Sequence, residues 1–437
     1  MRASSFRWRP VLCVTLAALC AAGTWIYAKR VLIPGQRPYV LAHDMGRGNH
    51  SDLYPRWLGS RELLLHRRDP YTMEFTGEIQ RGFYGRLLDR PDDPGEGHEF
   101  QQGFYYPAYV ALLLAPTIDL PFSTAQKIFV CVMAVLVAAM IPCWLYVLRW
   151  PLPLWSQATI FGLALASLPI MQGLKLQQMT LLVVPLLAGA VALLVAERPV
   201  AAGILLALAT IKPQLVWLVL LWLAMWTLAD WRRRYRWAAS FGVSMIVLCA
   251  AAAWFLPDWI WRFWNAIRQY HKYTGEMSVT QLQMGYPWSR IVEFIVLAVT
   301  IVICWRMRRE AAGSEAFGFA VSLVLATTVF VVPTYGLYNQ ALLLPALLLT
   351  MKERRAIWSR SLANRILCVV MVAVFTWPWV WCTGLAVLSF VLPVEMVERA
   401  HQAPLWTSLA TPLVVAGAML SWGWQRTFAA ARETTAS

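Results

Sequence analysis

The sequence predicts an all-α polytopic membrane protein, and two features of its composition support this fold class. Of the 437 residues, 59% have hydrophobic side chains and only 14% are charged, which is far more apolar than a soluble globular protein of this size. The apolar residues also cluster in runs of about 18 to 25, the length at which a helix crosses roughly 30 Å of hydrocarbon. A bundle of membrane helices is therefore expected.

The apolar runs predict twelve membrane spans in one integral membrane domain over residues 1–437. They lie near residues 11–29, 104–120, 124–148, 153–170, 179–196, 200–228, 237–256, 291–306, 315–332, 339–351, 364–384 and 406–424. A re-entrant segment is an alternative for the short run at 104–120, and Lys212-Pro213 interrupts the long run at 200–228. The first run follows Arg2, Arg7 and Arg9. It is interpreted as a retained signal anchor, because Ile26-Tyr27-Ala28 makes a poor cleavage site.

The basic residues indicate orientation rather than a nucleic-acid partner. The 38 Lys and Arg exceed the 23 Asp and Glu, but they form short clusters between apolar runs. With twelve spans, the clusters at the N-terminus, 232–236, 306–309, 352–355 and Arg426 share one side. The positive-inside rule makes that side cytoplasmic. We therefore expect a multi-pass protein of the cell membrane with both termini in the cytoplasm.

Two long polar segments, residues 32–103 and 257–290, fall on the outer side in this topology. The first holds 11 of the 23 acidic residues. Within it, apolar residues from Leu53 to Leu65 recur at helical spacing and predict an amphipathic helix in the membrane interface. The second alternates aromatic and basic residues, which suits the lipid headgroup layer. Both segments are predicted to contact membrane lipids and to carry the functional site.

Asp52 is the first candidate for chemistry, because it immediately precedes the predicted interfacial helix. A structural role is also open, since an aspartate here can cap the helix by accepting its first backbone N–H groups. Asp44 is an alternative carboxylate in a Gly-rich stretch.

Three short motifs lie between residues 40 and 240. They are Asp52-Leu53-Tyr54 with Asp69-Pro70-Tyr71; Phe104-Tyr105-Tyr106-Pro107 with Leu112 to Pro116; and Leu174 to Gln178 with Ala201-Ala202-Gly203 and Ile211-Lys212-Pro213. Together they resemble glycosyltransferase family 87, the polyprenol-phosphate-dependent mannosyltransferases of the GT-C superfamily. Two positions depart from that family's pattern. Gln177 replaces a usual Gly, and the stretch 333–339 replaces a Pro followed by Trp and His.

The resemblance implies a GT-C-like fold and an inverting sugar transfer on the outer membrane face. The donor would be a polyprenyl-phosphate sugar, with mannose as the sugar, and the acceptor a lipid or cell-envelope glycan. The leaving phosphate is already a stable anion, so one base is enough, unlike the paired carboxylates of glycosidases. Asp52 is predicted to be that base, and no cofactor is expected.

Cations must then hold the donor phosphate. Lys212 is a candidate, because an ionisable residue within an apolar run is costly and often functional, although it could also snorkel to an interface where Pro213 breaks the span. Further candidates in or beside the second outer segment are Arg268, His271, Lys272 and Arg290.

Four residues are predicted to contact substrate: Tyr54, Tyr106, Gln178 and Asn339. For Gln178 a helix-to-helix hydrogen bond is an equal alternative. The sequence has no His/Asp/Glu cluster with metal-ligand spacing and no glycine pattern for nucleotide phosphates, so no metal site is predicted.

Two other functions remain open from the sequence. A transporter or flippase of a lipid-linked saccharide would also need many spans and an intramembrane lysine, but such proteins place their sites between repeated halves, and the chain shows no repeat. A non-catalytic scaffold explains the spans but not Asp52. A cavity lined by both Asp52 and Lys212 would favour the enzyme.

Overall fold

The computed structural model describes residues 8–44, 51–90, 93, 97–275, 277–333 and 335–434. Within these ranges the chain forms helices and loops without a β-strand, as the composition predicts. Twenty-one α-helices follow in chain order: α1 Trp8–Tyr27, α2 Ile33–Ala42, α3 Leu53–His66, α4 Met73–Tyr84, α5 Val110–Leu114, α6 Phe122–Val147, α7 Leu154–Ala166, α8 Leu168–Leu176, α9 Thr180–Val195, α10 Pro199–Ala209, α11 Trp217–Leu228, α12 Trp231–Phe255, α13 Trp259–Thr274, α14 Val279–Met284, α15 Trp288–Met307, α16 Glu315–Val331, α17 Leu344–Arg360, α18 Leu362–Leu388, α19 Val394–Glu398, α20 Ala403–Thr407 and α21 Ala410–Thr434.

Six helical segments of the described chain are long and apolar enough to cross a membrane. They are Trp8–Tyr39, Phe122–Val147, Trp231–Phe255, Trp288–Met307, Leu362–Leu388 and Glu395–Thr427. The pair α7 and α8 passes the same test as one segment bent by 65°, which raises the number to seven. Four shorter apolar helices, α9, α10, α11 and α16, account for more of the apolar runs. The structure thus supports a multi-pass membrane protein, and the number of twelve spans stays a prediction.

Two of the predicted spans are broken at prolines. The run at 104–120 forms only the five-residue helix α5 and a 3₁₀ turn at Ala115–Thr117, which is about 8 Å of helix and too short for a bilayer. The run at 200–228 separates into α10 and α11 around the 3₁₀ turn Pro213–Leu215. Proline disfavours helical geometry at the residue before it, and Lys212 accordingly has φ −129° and ψ 75°.

Helix α16 lies at the centre of the bundle. Every residue from Phe317 to Phe330 is buried, which is the pattern of a helix that is apolar on all sides and surrounded by protein. It packs against α11, α15, α17 and α21 and against the 3₁₀ turn Leu337–Leu343. This turn carries Tyr338 and Asn339 toward the candidate site.

The helix predicted after Asp52 is present as α3, and its apolar side chains pack against protein except for Leu65, which is exposed. Leu53, Trp57 and Leu63 are buried in the main core, and α3 packs against α4, α5 and α6. The indole N–H of Trp57 donates to the carbonyl of Thr117 at 3.0 Å. The apolar spacing of this helix therefore reflects a contact with the helical core, which sequence periodicity alone cannot distinguish from a contact with lipid.

Candidate active site

A cavity of about 450 Å³ lies where the segment between α2 and α5 meets α13 and the break between α10 and α11. This size is within the usual range for ligand pockets. Its lining includes three charged side chains, Asp52, Arg56 and Lys212, and an aromatic wall. The aromatic members are Tyr105, Tyr106, Phe263, Trp264, Tyr270 and Tyr338.

Asp52 is fixed at the cavity by the turn that ends α8. Its backbone N–H donates to the carbonyl of Leu176 at 2.9 Å, and the neighbouring Ser51 hydroxyl donates to the side chain of Gln177. Gln177 has φ +48°, a left-handed conformation that favours glycine. Its amide compensates by donating to the carbonyls of Leu174 at 2.6 Å and Lys175 at 2.9 Å. The side chain of Gln177 therefore stabilises this turn locally.

The side chain of Asp52 does not cap α3. Asp52 occupies the N-cap position, but no backbone N–H of the helix donates to its carboxylate. The carboxylate instead accepts a hydrogen bond from the Gln178 amide. The capping role left open by the sequence is therefore wrong, because the backbone at Asp52 is already helical, with φ −66° and ψ −8°, and aims the carboxylate into the cavity.

A continuous chain of hydrogen bonds connects Asp52 with Lys212. Gln178 donates to Asp52 and accepts from Lys212 Nζ at 3.3 Å. Lys212 Nζ also donates to the Thr180 hydroxyl at 2.8 Å, and Thr180 donates to Asn339 Oδ1 at 3.1 Å. The ammonium lies 4.6 Å from the centre of the Tyr338 ring, a cation–π contact. These contacts hold the base candidate and the cation candidate at fixed positions in one cavity.

The pKa of the Asp52 carboxyl is raised from its ordinary value of 3.8. Burial is the largest cause, since it penalises the charged form. Arg56, the Gln178 hydrogen bond and Lys212 act in the opposite direction. A carboxylate with a raised pKa is a stronger base than one in water, which suits proton abstraction from a hydroxyl.

Asp69 and Tyr71 of the first motif position the cavity walls. The Tyr71 hydroxyl donates to the carbonyl of Tyr106 at 2.7 Å. Asp69 accepts from the backbone N–H of Tyr71 at 2.9 Å and pairs with Arg262 of α13. This motif therefore connects the segment between α2 and α5 to α13, whose residues Phe263, Ile267, Tyr270 and His271 form part of the lining.

Five residues predicted for the site line this cavity: Asp52, Tyr106, Gln178, Lys212 and His271. Asn339 is buried behind the cavity wall, where its side-chain oxygen accepts a hydrogen bond from the Thr180 hydroxyl. The others lie elsewhere. Tyr54 packs edge-on against Phe122 at 5.0 Å.

The remaining basic candidates do not line the cavity, and each contacts another side chain. Arg268 lies over Trp264 at 5.6 Å, Lys272 lies over Phe100 at 5.7 Å, and Arg290 pairs with Glu293 at 3.2 Å. Asp44, the alternative carboxylate, is largely exposed and pairs with Arg90 at 3.4 Å. Asp52 is therefore the one carboxylate among the described residues that line the cavity.

Arg56 and Tyr338 line the cavity but were not predicted as site residues from the sequence. Arg56 is four residues after Asp52, and residues at this spacing share one face of a helix. That spacing could have identified Arg56. Nothing in the sequence brings Tyr338 close to Lys212, because the contact depends on how the turn 337–343 packs against α8 and α16.

The sequence profile of glycosyltransferase family 87 matches residues 104–334, more than half of the chain. The chain belongs to glycosyltransferase family 87. The matched segment contains Tyr106, Gln178, Lys212 and α13, and it begins after Asp52. Comparison with curated proteins and with solved structures found no significant match. Membership in a family of glycosyltransferases favours the enzyme over the transporter and the scaffold.

Proposed function

We propose that this family 87 glycosyltransferase moves a sugar from a polyprenyl-phosphate carrier to a lipid or cell-envelope acceptor, on the outer face of the cell membrane, with inversion at the anomeric carbon. The family resemblance makes mannose the first sugar to test. The observation that carries the proposal is the set of charges in one cavity: one carboxylate, Asp52, with two cations, Arg56 and Lys212.

Asp52 would act as the base. Its carboxylate takes the proton of the acceptor hydroxyl while that oxygen attacks the anomeric carbon from the face opposite the phosphate. The bond from the anomeric carbon to the phosphate oxygen breaks, and its electron pair stays on the phosphate. A single lining carboxylate fits this one-step inversion, whereas a retaining mechanism by double displacement needs a second carboxylate as nucleophile.

Lys212 would bind the donor phosphate. Its side chain is only 6% exposed, and an ammonium buried to that degree is costly unless it has an anionic partner. Among the described residues it forms no ion pair, and its hydrogen bonds go to the neutral side chains of Gln178 and Thr180. A phosphate in the cavity would supply the missing charge.

The test is an assay of purified full-length protein with labelled polyprenyl-phosphate mannose and a panel of lipid acceptors, repeated with the same carrier bearing other sugars. The proposal predicts label in an acceptor and release of one polyprenyl phosphate per sugar transferred. Label released as free sugar, or intact donor moved across vesicles without transfer, contradicts it.

A further inference from the structure

Arg56 is a second cation in the cavity, and it lies one helical turn from the base candidate. Its guanidinium donates to the main-chain carbonyl of Asp52. The guanidinium carbon lies 4.7 Å from the centre of the Tyr106 ring. Asp52, Arg56 and Tyr106 all line the cavity, so the guanidinium is held at its wall beside the carboxylate.

Within the described part of the protein, the charge of Arg56 acts on the Asp52 carboxylate without a direct contact between the two charged groups. No ion pair there includes Arg56, and its Nε is buried with no hydrogen-bond partner. Such a donor costs free energy comparable to a lost hydrogen bond. With Lys212 also unpaired, the two cations exceed the single lining carboxylate by one charge. The cavity is therefore built for an anion.

We infer that Arg56 contacts the phosphate of the lipid donor together with Lys212, and that it acts mainly on the leaving group. This inference rests on the proposed function. The ammonium of Lys212, held by two neutral side chains, attracts phosphate as a compact point charge. The planar guanidinium of Arg56 can instead give two parallel hydrogen bonds to phosphate oxygens. The two cations thus supply different contacts to one anion.

The position beside Asp52 matters because the reaction moves negative charge past Arg56. The donor is a phosphodiester with one negative charge, and Asp52 carries another. After transfer, Asp52 holds the acceptor's proton and is neutral, and the polyprenyl phosphate carries two negative charges. A cation in direct contact with the phosphate gains attraction as charge builds up there and loses attraction to Asp52 as that carboxylate is protonated. Arg56 therefore lowers the barrier by having its closer contact with the phosphate.

A purely structural role for Arg56 predicts a different result. The bond to the Asp52 carbonyl and the contact with Tyr106 could simply fix the start of α3. Removing the guanidinium would then lower thermal stability and leave the recognition of phosphate unchanged. Phosphate affinity and stability must therefore be measured separately.

The experiment measures binding of farnesyl phosphate to the purified full-length protein, with farnesol as the uncharged control ligand. Arg56→Gln should weaken farnesyl phosphate binding by about tenfold or more and leave farnesol binding unchanged. Arg56→Lys keeps the charge but loses the two-pronged contact, so its affinity for farnesyl phosphate should lie between that of the wild type and that of Arg56→Gln. Arg61→Gln is the matched control, because Arg61 is on the same helix, lies over Trp57 and is outside the cavity lining.

Wild-type affinity for farnesyl phosphate in Arg56→Gln overturns the inference, whatever its stability. An equal loss in Arg61→Gln does the same. Should Arg56→Gln not fold, wild-type affinity in Arg56→Lys overturns the two-pronged contact. Failure of the proposed function gives a different result: phosphate binding would still depend on Arg56, but no sugar would reach any acceptor.

Discussion

The basicity of Asp52 depends on its hydrogen bond from Gln178. That bond, Arg56 and Lys212 lower a pKa that burial raises above 3.8. The base must be deprotonated, so transfer falls as the pH drops through this pKa. Gln178→Leu removes one lowering contribution, and the acid limb of kcat/KM should move to higher pH. A pH profile measures this directly, and an acid limb at the same or a lower pH contradicts the assignment.

Lys212 should contribute mainly to recognition of the donor. Charge-assisted hydrogen bonds are each worth about 1.5 to 3 kcal/mol, so Lys212→Gln should lower kcat/KM for the donor by about 10- to 100-fold. Lys352→Gln is the control, since that lysine pairs with Glu315 at 2.8 Å and is outside the cavity lining. Steady-state kinetics with varied donor compare the two. An equal loss of kcat/KM in both variants would contradict a specific role of Lys212 in binding the donor.

Single residues were predictable where local chemistry alone decides their position. A lysine before a proline in an apolar run must find a polar site or lose its charge, and Lys212 lies in the cavity. Arg268 and Arg290, in or beside a polar aromatic segment, were also candidates for the phosphate, but each contacts a neighbour on its own helix, Trp264 or Glu293. Such short-range partners compete with a distant site, and sequence does not show which contact prevails.

At the scale of elements, the turn after α8 positions Asp52. The left-handed backbone of Gln177 in this turn should lower the free energy of unfolding, and this effect can be measured. An L-residue in left-handed geometry costs roughly 1 to 2 kcal/mol, and glycine avoids this penalty. Gln177→Ala and Gln177→Gly lose the same amide, so their difference isolates the backbone term. The Gly variant should be more stable by about 1 kcal/mol, measured by thermal unfolding in detergent. Equal stabilities of the Ala and Gly variants would show that the backbone at this position leaves the left-handed conformation when the amide is lost.

Two of the predicted apolar runs are not continuous helices, because prolines divide them. Hydropathy at 104–120 and 200–228 matches a spanning helix, but Pro107, Pro116 and Pro213 lie within these runs, and the chain folds there into short helices joined by 3₁₀ turns. These breaks place Tyr106 and Lys212 at the cavity. Composition predicts the environment of such segments, whereas their backbone path depends on tertiary packing.

For the whole molecule, an even or odd number of membrane spans determines whether the two termini lie on the same side of the membrane. Twelve spans, or the six continuous long segments alone, put both termini on one side, whereas seven put them on opposite sides. The basic clusters predict the cytoplasm for both. A reporter fused after Ser437 that is active only in the cytoplasm should therefore be active. Activity of a reporter that functions only outside the cytoplasm would contradict this topology and the outward-facing site.

The most direct test of the account is the rate of sugar transfer by Asp52→Asn relative to the wild type. Asparagine has the size of aspartate but cannot accept the proton, so the rate should fall by about 100- to 10,000-fold. Because Asp52 does not cap α3, thermal stability should hold. Asp44→Asn is the control, since Asp44 is exposed and outside the cavity lining, and its rate should stay near the wild-type value. Near-normal transfer by Asp52→Asn, above all with loss of transfer in Asp44→Asn, would contradict the assignment of Asp52 as the base.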